Sequence, residues 1–221
     1  SMGAQVSLRQ ESTPQGTWYV VEMTPPVPLK LVPISLCLPA DPSAAAFLIV
    51  ATLITPGSRL CLRGVCLNPT RTGLIEALRS MGARIGLENQ HTAAGEPVGD
   101  ITVESGLLHG TEINGPLVVR MIDEFPALAA AAALADGTTV VRDAAELRLK
   151  ESDRIAVLAR ELRALGVSID EHPDGFTIRG GKLHGGCVQS HGDHRLAMSL
   201  AVAGLAGEAP TTVQDAESMA E

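Results

Sequence analysis

The sequence predicts an α/β fold, an inside-out α/β prism made of repeated βαβαββ units. Three observations lead there: a pattern that recurs three times, helical stretches apolar on every side, and amphipathic stretches following the first two of them. Each copy places an aspartate before a wholly apolar helical stretch, then a turn and a short strand. The copies are Asp41-Pro-Ser-Ala-Ala-Ala-Phe with Gly57-Ser-Arg-Leu-Cys-Leu-Arg, Asp123-Glu-Phe-Pro-Ala-Leu with Gly137-Thr-Thr-Val-Val-Arg, and Asp193-His-Arg-Leu-Ala-Met with Ala209-Pro-Thr-Thr-Val-Gln. Their starts lie 82 and 70 residues apart, so the unit is domain-like and not a solenoid repeat.

The apolar stretches have no polar face, which predicts burial all round. Three of them packed together form the centre, and sheets with amphipathic helices lie outside. The outer helices read as Thr72–Gly82 and Ser152–Gly166. In the second, Ile155, Leu158, Leu162 and Leu165 recur at helical spacing, with Ser152 as N-cap and Gly166 as the stop. A short strand follows each, Ala83–Leu87 and Val167–Glu171. The second and third units open alike, on Leu108-His-Gly and Leu183-His-Gly. Two complete units and a truncated third are expected, because the chain reaches Glu221 where the third outer helix would begin.

Composition narrows the function classes. Hydrophobic residues are 45% but aromatics only 2%, so the core is built from Ala, Leu, Val and Ile. A net charge of −8 argues against a nucleic-acid partner. It leaves room for a cleft in which a few Arg and Lys converge on an anion. Cys37, Cys61, Cys66 and Cys187 form no Cys-x-x-Cys pair and are expected to be buried, reduced thiols. The apolar runs Ala44–Ile54 and Ala127–Ala135 are too short to span a bilayer, and no signal peptide is recognisable. No membrane partner and a cytoplasmic location are therefore expected. A Gly-x-Gly-x-x-Gly loop is absent, which argues against a dinucleotide-binding domain.

Asp41, Asp123 and Asp193 each stand where a helix N-cap belongs. Pseudo-symmetry brings the three helix starts to one end, where their dipoles favour anions. Asp193-His194-Arg195 puts a guanidinium in one first turn, and Lys150-Glu151-Ser152-Asp153-Arg154 puts a second cluster at the start of an outer helix. A cation beside a positive helix end calls for a counter-charge, and arginine suits bidentate binding of carboxylate or phosphate. Arg71 reads as decoration of a helix start, His109 and His184 as turn residues, and His91 and His172 have no evident partners. Metal-ligand spacing is not seen.

Leu147-Arg-Leu-Lys-Glu-Ser-Asp-Arg154, His191-Gly-Asp-His-Arg-Leu-Ala-Met198 and Met121-Ile-Asp-Glu-Phe-Pro together resemble the EPSP synthase family. Asn68-Pro-Thr-Arg-Thr-Gly-Leu-Ile is similar to its glyphosate-tolerant bacterial branch. The likeness runs from about Tyr19 to Glu221, with Ala40 where the family usually has Gly. It implies transfer of the enolpyruvyl group of phosphoenolpyruvate to the 5-hydroxyl of shikimate 3-phosphate, with loss of phosphate and without metal or cofactor. By the same resemblance Arg154 and Arg195 clamp phosphoenolpyruvate, Asp123 takes the hydroxyl proton, and Glu151 protonates the methylene carbon. Lys150 holds shikimate phosphate hydroxyls or assists proton transfer, and His194 supports the leaving phosphate. The family's N-terminal Gly-Asp-Lys-Ser and Ser-Ala-Gln signatures are not in this chain. Residues 39–221 are thus expected to be the C-terminal domain, cut short at its end. Residues 1–38, with Ser1-Met2 as a tag remnant, are expected to be hinge and the end of a missing N-terminal domain. That domain is the expected partner, and the isolated chain is expected to be inactive. The competing readings are a UDP-N-acetylglucosamine enolpyruvyltransferase and a non-catalytic anion-binding module.

Overall fold

The structure, a computed structural model, describes residues 5–14, 16–25 and 32–220; Ser1, Met2 and Glu221 lie outside the described residues. The chain divides into two units, Ser1–Leu38 and Pro39–Glu221. The first holds an antiparallel hairpin of β1 (Gln5–Thr13) and β2 (Gly16–Thr24), in which the Trp18 indole N–H donates to Thr13 Oγ1 at 3.1 Å.

The second unit carries the repeat. Its first copy has α1 (Pro42–Ile54), β3 (Arg59–Cys66), α2 (Gly73–Ser80), β4 (Arg84–Ala93) and β5 (Glu96–Glu104). Its second has β6 (Glu112–Ile113), a short α3 (Pro116–Val119), α4 (Phe125–Ala132), β7 (Thr138–Val141), a 3-10 turn Ala145–Leu149, α5 (Arg154–Ala164), β8 (Ser168–His172) and β9 (Gly175–Arg179). The third shows β10 (Gly186–Gln189), α6 (His194–Gly204), β11 (Thr211–Gln214) and a final 3-10 turn Ala216–Ala220. The sheets are ordered β3-β5-β4, β6-β7-β9-β8 and β10-β11. In every copy the segment before the inner helix runs parallel to the strand after it: Ala40 with Val65, β6 with β7, and β10 with β11. An antiparallel hairpin, β4–β5 or β8–β9, then follows the outer helix. This is the predicted α/β arrangement of β-α-β-α-β-β units.

The shared Leu-His-Gly opening has a steric reason. A Cβ on Gly110 would lie 2.2 Å from the Thr138 carbonyl oxygen, and one on Gly185 would lie 2.3 Å from that of Ala209. In both copies the chain crosses the start of the strand after the inner helix so closely that no side chain fits.

Every residue of α4 from Phe125 to Ala132 is buried, as its composition predicts. Both α1 and α6 pack against it, and its alanines keep that approach close. The other inner helices depart from the expectation: Ala44 and Leu48, one turn apart on α1, and Ala201 on α6 are exposed. Phe125 meets Phe176 of β9 edge to face, with centroids 6.3 Å apart at 90°. Phe125→Ala is expected to lower unfolding free energy by about 3–5 kcal/mol, because the cavity opens in a fully buried layer. A chemical-denaturation midpoint with unchanged slope measures it.

The cysteines correct the sequence reading. All four are free, but Cys37, Cys61 and Cys187 are exposed and Cys66 is half-buried. Alternation along β3 turns Cys61 outward with Arg59 and Arg63, a parity that composition does not reveal. No helix among the described residues is long and apolar enough to cross a membrane.

Candidate active site

The N-terminal ends of the three inner helices meet. Asp41 caps α1 by accepting from the Ser43 amide at 3.1 Å, and Asp193 caps α6 by accepting from the amides of Arg195 at 2.9 Å and Leu196 at 3.4 Å. Asp123 does not cap α4, contrary to expectation. Glu124 occupies the N-cap position with helical backbone and no side-chain cap, and its carboxylate accepts from the Ser43 hydroxyl of α1. Asp123 is drawn to the cations around it instead. Ser152 is not the cap of α5 either: Asp153 accepts from the Ala156 amide at 3.0 Å, while the Ser152 hydroxyl donates to Asp193 Oδ2 at 3.3 Å. The stop at Gly166 holds, with φ +93° one residue beyond the C-cap Leu165.

Arg154 is the hub. Its side chain is fully buried, and its Nε donates to Asp193 Oδ2 at 2.8 Å. Nη2 reaches Glu151 Oε2 at 2.6 Å and Nη1 reaches Asp123 Oδ1 at 3.4 Å. A buried charge persists only when paired and hydrogen-bonded, and three carboxylates meet that need here. Lys150 Nζ stands 3.5 Å from Asp123 and 3.0 Å from Glu146, four residues before it. Arg195 Nη2 lies 4.0 Å from Asp123 Oδ2, and Nη1 donates to the Asp123 carbonyl at 3.4 Å. Asp123, Lys150, Glu151, Arg154 and Arg195 thus converge. The His194 ring opens the first turn of α6 half-buried, with no hydrogen bond or ion pair among the described residues.

Exposure separates the cations. Lys150 and Arg195 are 22% and 18% exposed against zero for Arg154, so of the three only those two reach solvent. Burial alone pushes the Asp123 carboxyl up, but Arg195, Lys150 and Arg154 outweigh it and hold the group below its ordinary range. Asp193 behaves likewise, with burial overcome by Arg154 and the two cap amides. In Lys150 the partners Glu146 and Asp123 outweigh desolvation and raise the ammonium's pKa. Glu124 goes the other way: burial raises it, opposed only in part by Ser43, Arg195 and Arg71. A depressed carboxyl stabilises the fold above its ordinary pKa and loses that contribution as pH falls through its folded value. A raised one stabilises below its ordinary pKa and loses that contribution as pH rises through its folded value. Stability is therefore expected to drop as pH falls below the ordinary 3.8 of Asp193, and Asp193→Asn should flatten that limb. Glu124→Gln should flatten a separate decline above the ordinary 4.5 of glutamate. Urea unfolding across pH reads both.

Sequence reasoning missed several contributors. Arg71 serves α1 and not its own helix, donating to Ser43 Oγ at 2.9 Å and Asp41 at 3.3 Å. Arg148 ties the Lys150–Arg154 segment down, donating to Asp153 at 2.8 Å, Glu171 at 2.9 Å and the Pro173 carbonyl at 2.8 Å. Glu146, four residues before Lys150, was readable as a helical ion pair. A concavity of about 220 Å³ lined by Arg71, Arg120, Asp123 and Glu124 borders the cluster. A larger one, about 760 Å³, lies on the β3-β5-β4 sheet among Arg59, Cys61, Arg84 and Glu104, away from these charges. Among the described residues no group of His, Cys, Asp or Glu is arranged to hold a metal ion.

Comparison with known proteins gives a consistent set of relatives. The family model for EPSP synthase (3-phosphoshikimate 1-carboxyvinyltransferase) matches residues 2–221. The 3-phosphoshikimate 1-carboxyvinyltransferase of Roseiflexus castenholzii is 52% identical over 201 residues, 90% of this chain and 47% of that protein. An EPSP synthase structure from Acinetobacter baumannii superposes with a TM-score of 0.86 at 42% identity, over 99% of this chain and 49% of the other. The enolpyruvyl transferase NikO from Streptomyces tendae shares the fold, with a TM-score of 0.71 at 22% identity over 99% of this chain and 47% of its own. The chain spans about half the length of the curated relatives it matches.

Proposed function

This chain belongs to the EPSP synthase (3-phosphoshikimate 1-carboxyvinyltransferase) family, and on that premise we propose that it supplies one wall of an enolpyruvyl-transfer site. The reaction is transfer of the enolpyruvyl group of phosphoenolpyruvate to the 5-hydroxyl of shikimate 3-phosphate. The 5-hydroxyl oxygen adds to the enol carbon as the methylene carbon gains a proton; loss of that methyl proton then expels phosphate. The observation that carries the reading is the convergence of Asp123 with Lys150, Arg154 and Arg195. An ionised carboxylate ringed by cations accepts a hydroxyl proton while the same cations hold an anionic partner.

In this reading Asp123 takes the hydroxyl proton, and the depressed pKa keeps it ionised beforehand. Lys150, held charged by Glu146 and Asp123, anchors the substrate hydroxyls. Arg195 grips phosphoenolpyruvate directly. Arg154 joins it by exchanging Glu151, itself 49% exposed, for the incoming anion. Glu151, once released from Arg154, takes up a proton from solvent, gives it to the methylene carbon and later removes one from the methyl group. His194, in the first turn of α6, supports the leaving phosphate.

Residues 39–221 serve as the C-terminal domain and residues 1–38 as hinge and the end of its neighbour. A complementary N-terminal half completes the cleft in the cytoplasm. Phosphate release from phosphoenolpyruvate plus shikimate 3-phosphate tests this, with the chain alone and with the N-terminal half of a relative added. Turnover only in the mixture is expected. No turnover in either, with both halves folded, would favour an anion-binding module.

A further inference from the structure

Glu161 has no part in the chemistry above, yet it is buried on α5 with a charged carboxylate. Burial pushes it up, but hydrogen bonds from His191, the Gln189 amide and Arg160 win and hold it below the usual range. Oε2 accepts from the Gln189 amide at 2.9 Å. Oε1 accepts from His191 Nε2 at 2.8 Å and from Arg160 Nε at 3.0 Å. Arg160 Nη2 lies over the ring edge, 3.0 Å from Nδ1 and 2.6 Å from Nε2.

Gln189 ends the strand before the turn that delivers Asp193, and His191 lies within that turn. His191 and Gly192 are both left-handed, at φ +55° and +72°, and histidine is strained there. The Ser190 hydroxyl donates to the Asp215 carbonyl and accepts from the Gly192 amide at 3.2 Å, and the Asp193 amide donates to the Ser190 carbonyl at 3.1 Å. The next residue, Asp193, then carries both the α6 cap and Arg154 Nε.

We infer that Glu161 is a positioning residue for the anion-binding end: through Gln189 and His191 it holds the strained turn that seats Asp193 on Arg154 and aims Arg195. The inference rests on the proposed anion site only in its binding readout. Its test uses the 221-residue chain with Glu161→Gln and a Glu161→Gln/His191→Gly double variant, because glycine takes the left-handed turn without strain.

Exchange of the Arg154 Nε proton with solvent, followed by NMR without ligand, is expected to quicken about 5- to 30-fold in Glu161→Gln while α4 amides keep their rates. The double variant is expected to recover. Phosphoenolpyruvate affinity by calorimetry should fall and recover in parallel. Unchanged Arg154 exchange in Glu161→Gln overturns the inference, and so does failure of the glycine to restore it. If the unaltered chain binds no phosphoenolpyruvate but the exchange pattern appears, the positioning role stands and the anion-site reading falls. A Glu161→Gln variant that unfolds outright, with α4 amides exchanging together with Arg154, overturns the inference in favour of a general stability role.

Discussion

Arg154→Met is expected to lower unfolding free energy by about 3–5 kcal/mol, because it leaves Asp193 buried with no cation beside it. The two cap amides and Ser152 still donate to Asp193, which favours the lower end of that range. Arg154→Lys is not a mild alternative: a single ammonium cannot reach Asp193, Glu151 and Asp123 in the fork geometry of a guanidinium. Combining Arg154→Met with Asp193→Asn should regain part of the loss, since asparagine caps α6 without a charge to strand. Denaturation of the four members of this cycle measures the coupling, and additive losses would remove Arg154 from its place as hub.

On the proposed role of Asp123 as general base, Asp123→Asn is expected to reduce turnover of the chain mixed with an N-terminal half by about 10²- to 10⁴-fold. Structure should survive, because Asp123 is 39% exposed and caps no helix. The substitution also removes a counter-charge shared by Lys150, Arg154 and Arg195. Anion affinity is therefore expected to hold or rise while turnover collapses, and single-turnover kinetics separates the two. Equal losses in affinity and turnover would make Asp123 a binding group and not a base.

Much of this was legible in the sequence. The alanine-rich stretch Phe125–Ala132 has no polar face, so its burial follows from composition alone. The three aspartates and the equivalent Leu-His-Gly openings announce the repeat, and the repeat brings the helix starts together. The convergence of Lys150, Glu151 and Arg154 with Asp123 and Arg195 is then a matter of topology, although the roles assigned to them are proposals. What escaped depends on contacts between distant residues. Ser152 and Asp153 are both competent caps, and the choice falls to Asp153 because Asp193 takes the serine hydroxyl. The counter-charge that Arg154 calls for at its helix start is Asp193, 39 residues away, which no local pattern identifies. Cys61 faces outward through strand parity. Glu124 and Ser43 meet across 81 residues, a separation no local pattern spans.

The alanines of α4 have a thermodynamic consequence. A buried alanine gives up no rotamer freedom on folding, whereas a leucine or isoleucine loses about 0.5–1 kcal/mol. The helix that carries Asp123 at its entrance is thus ordered with little side-chain entropy to recover on warming. Its centre has few alternative packings for heat to populate. The spacing between helix starts, and with it the distance from Asp123 to Arg195, should expand less with temperature than a leucine-packed core would allow.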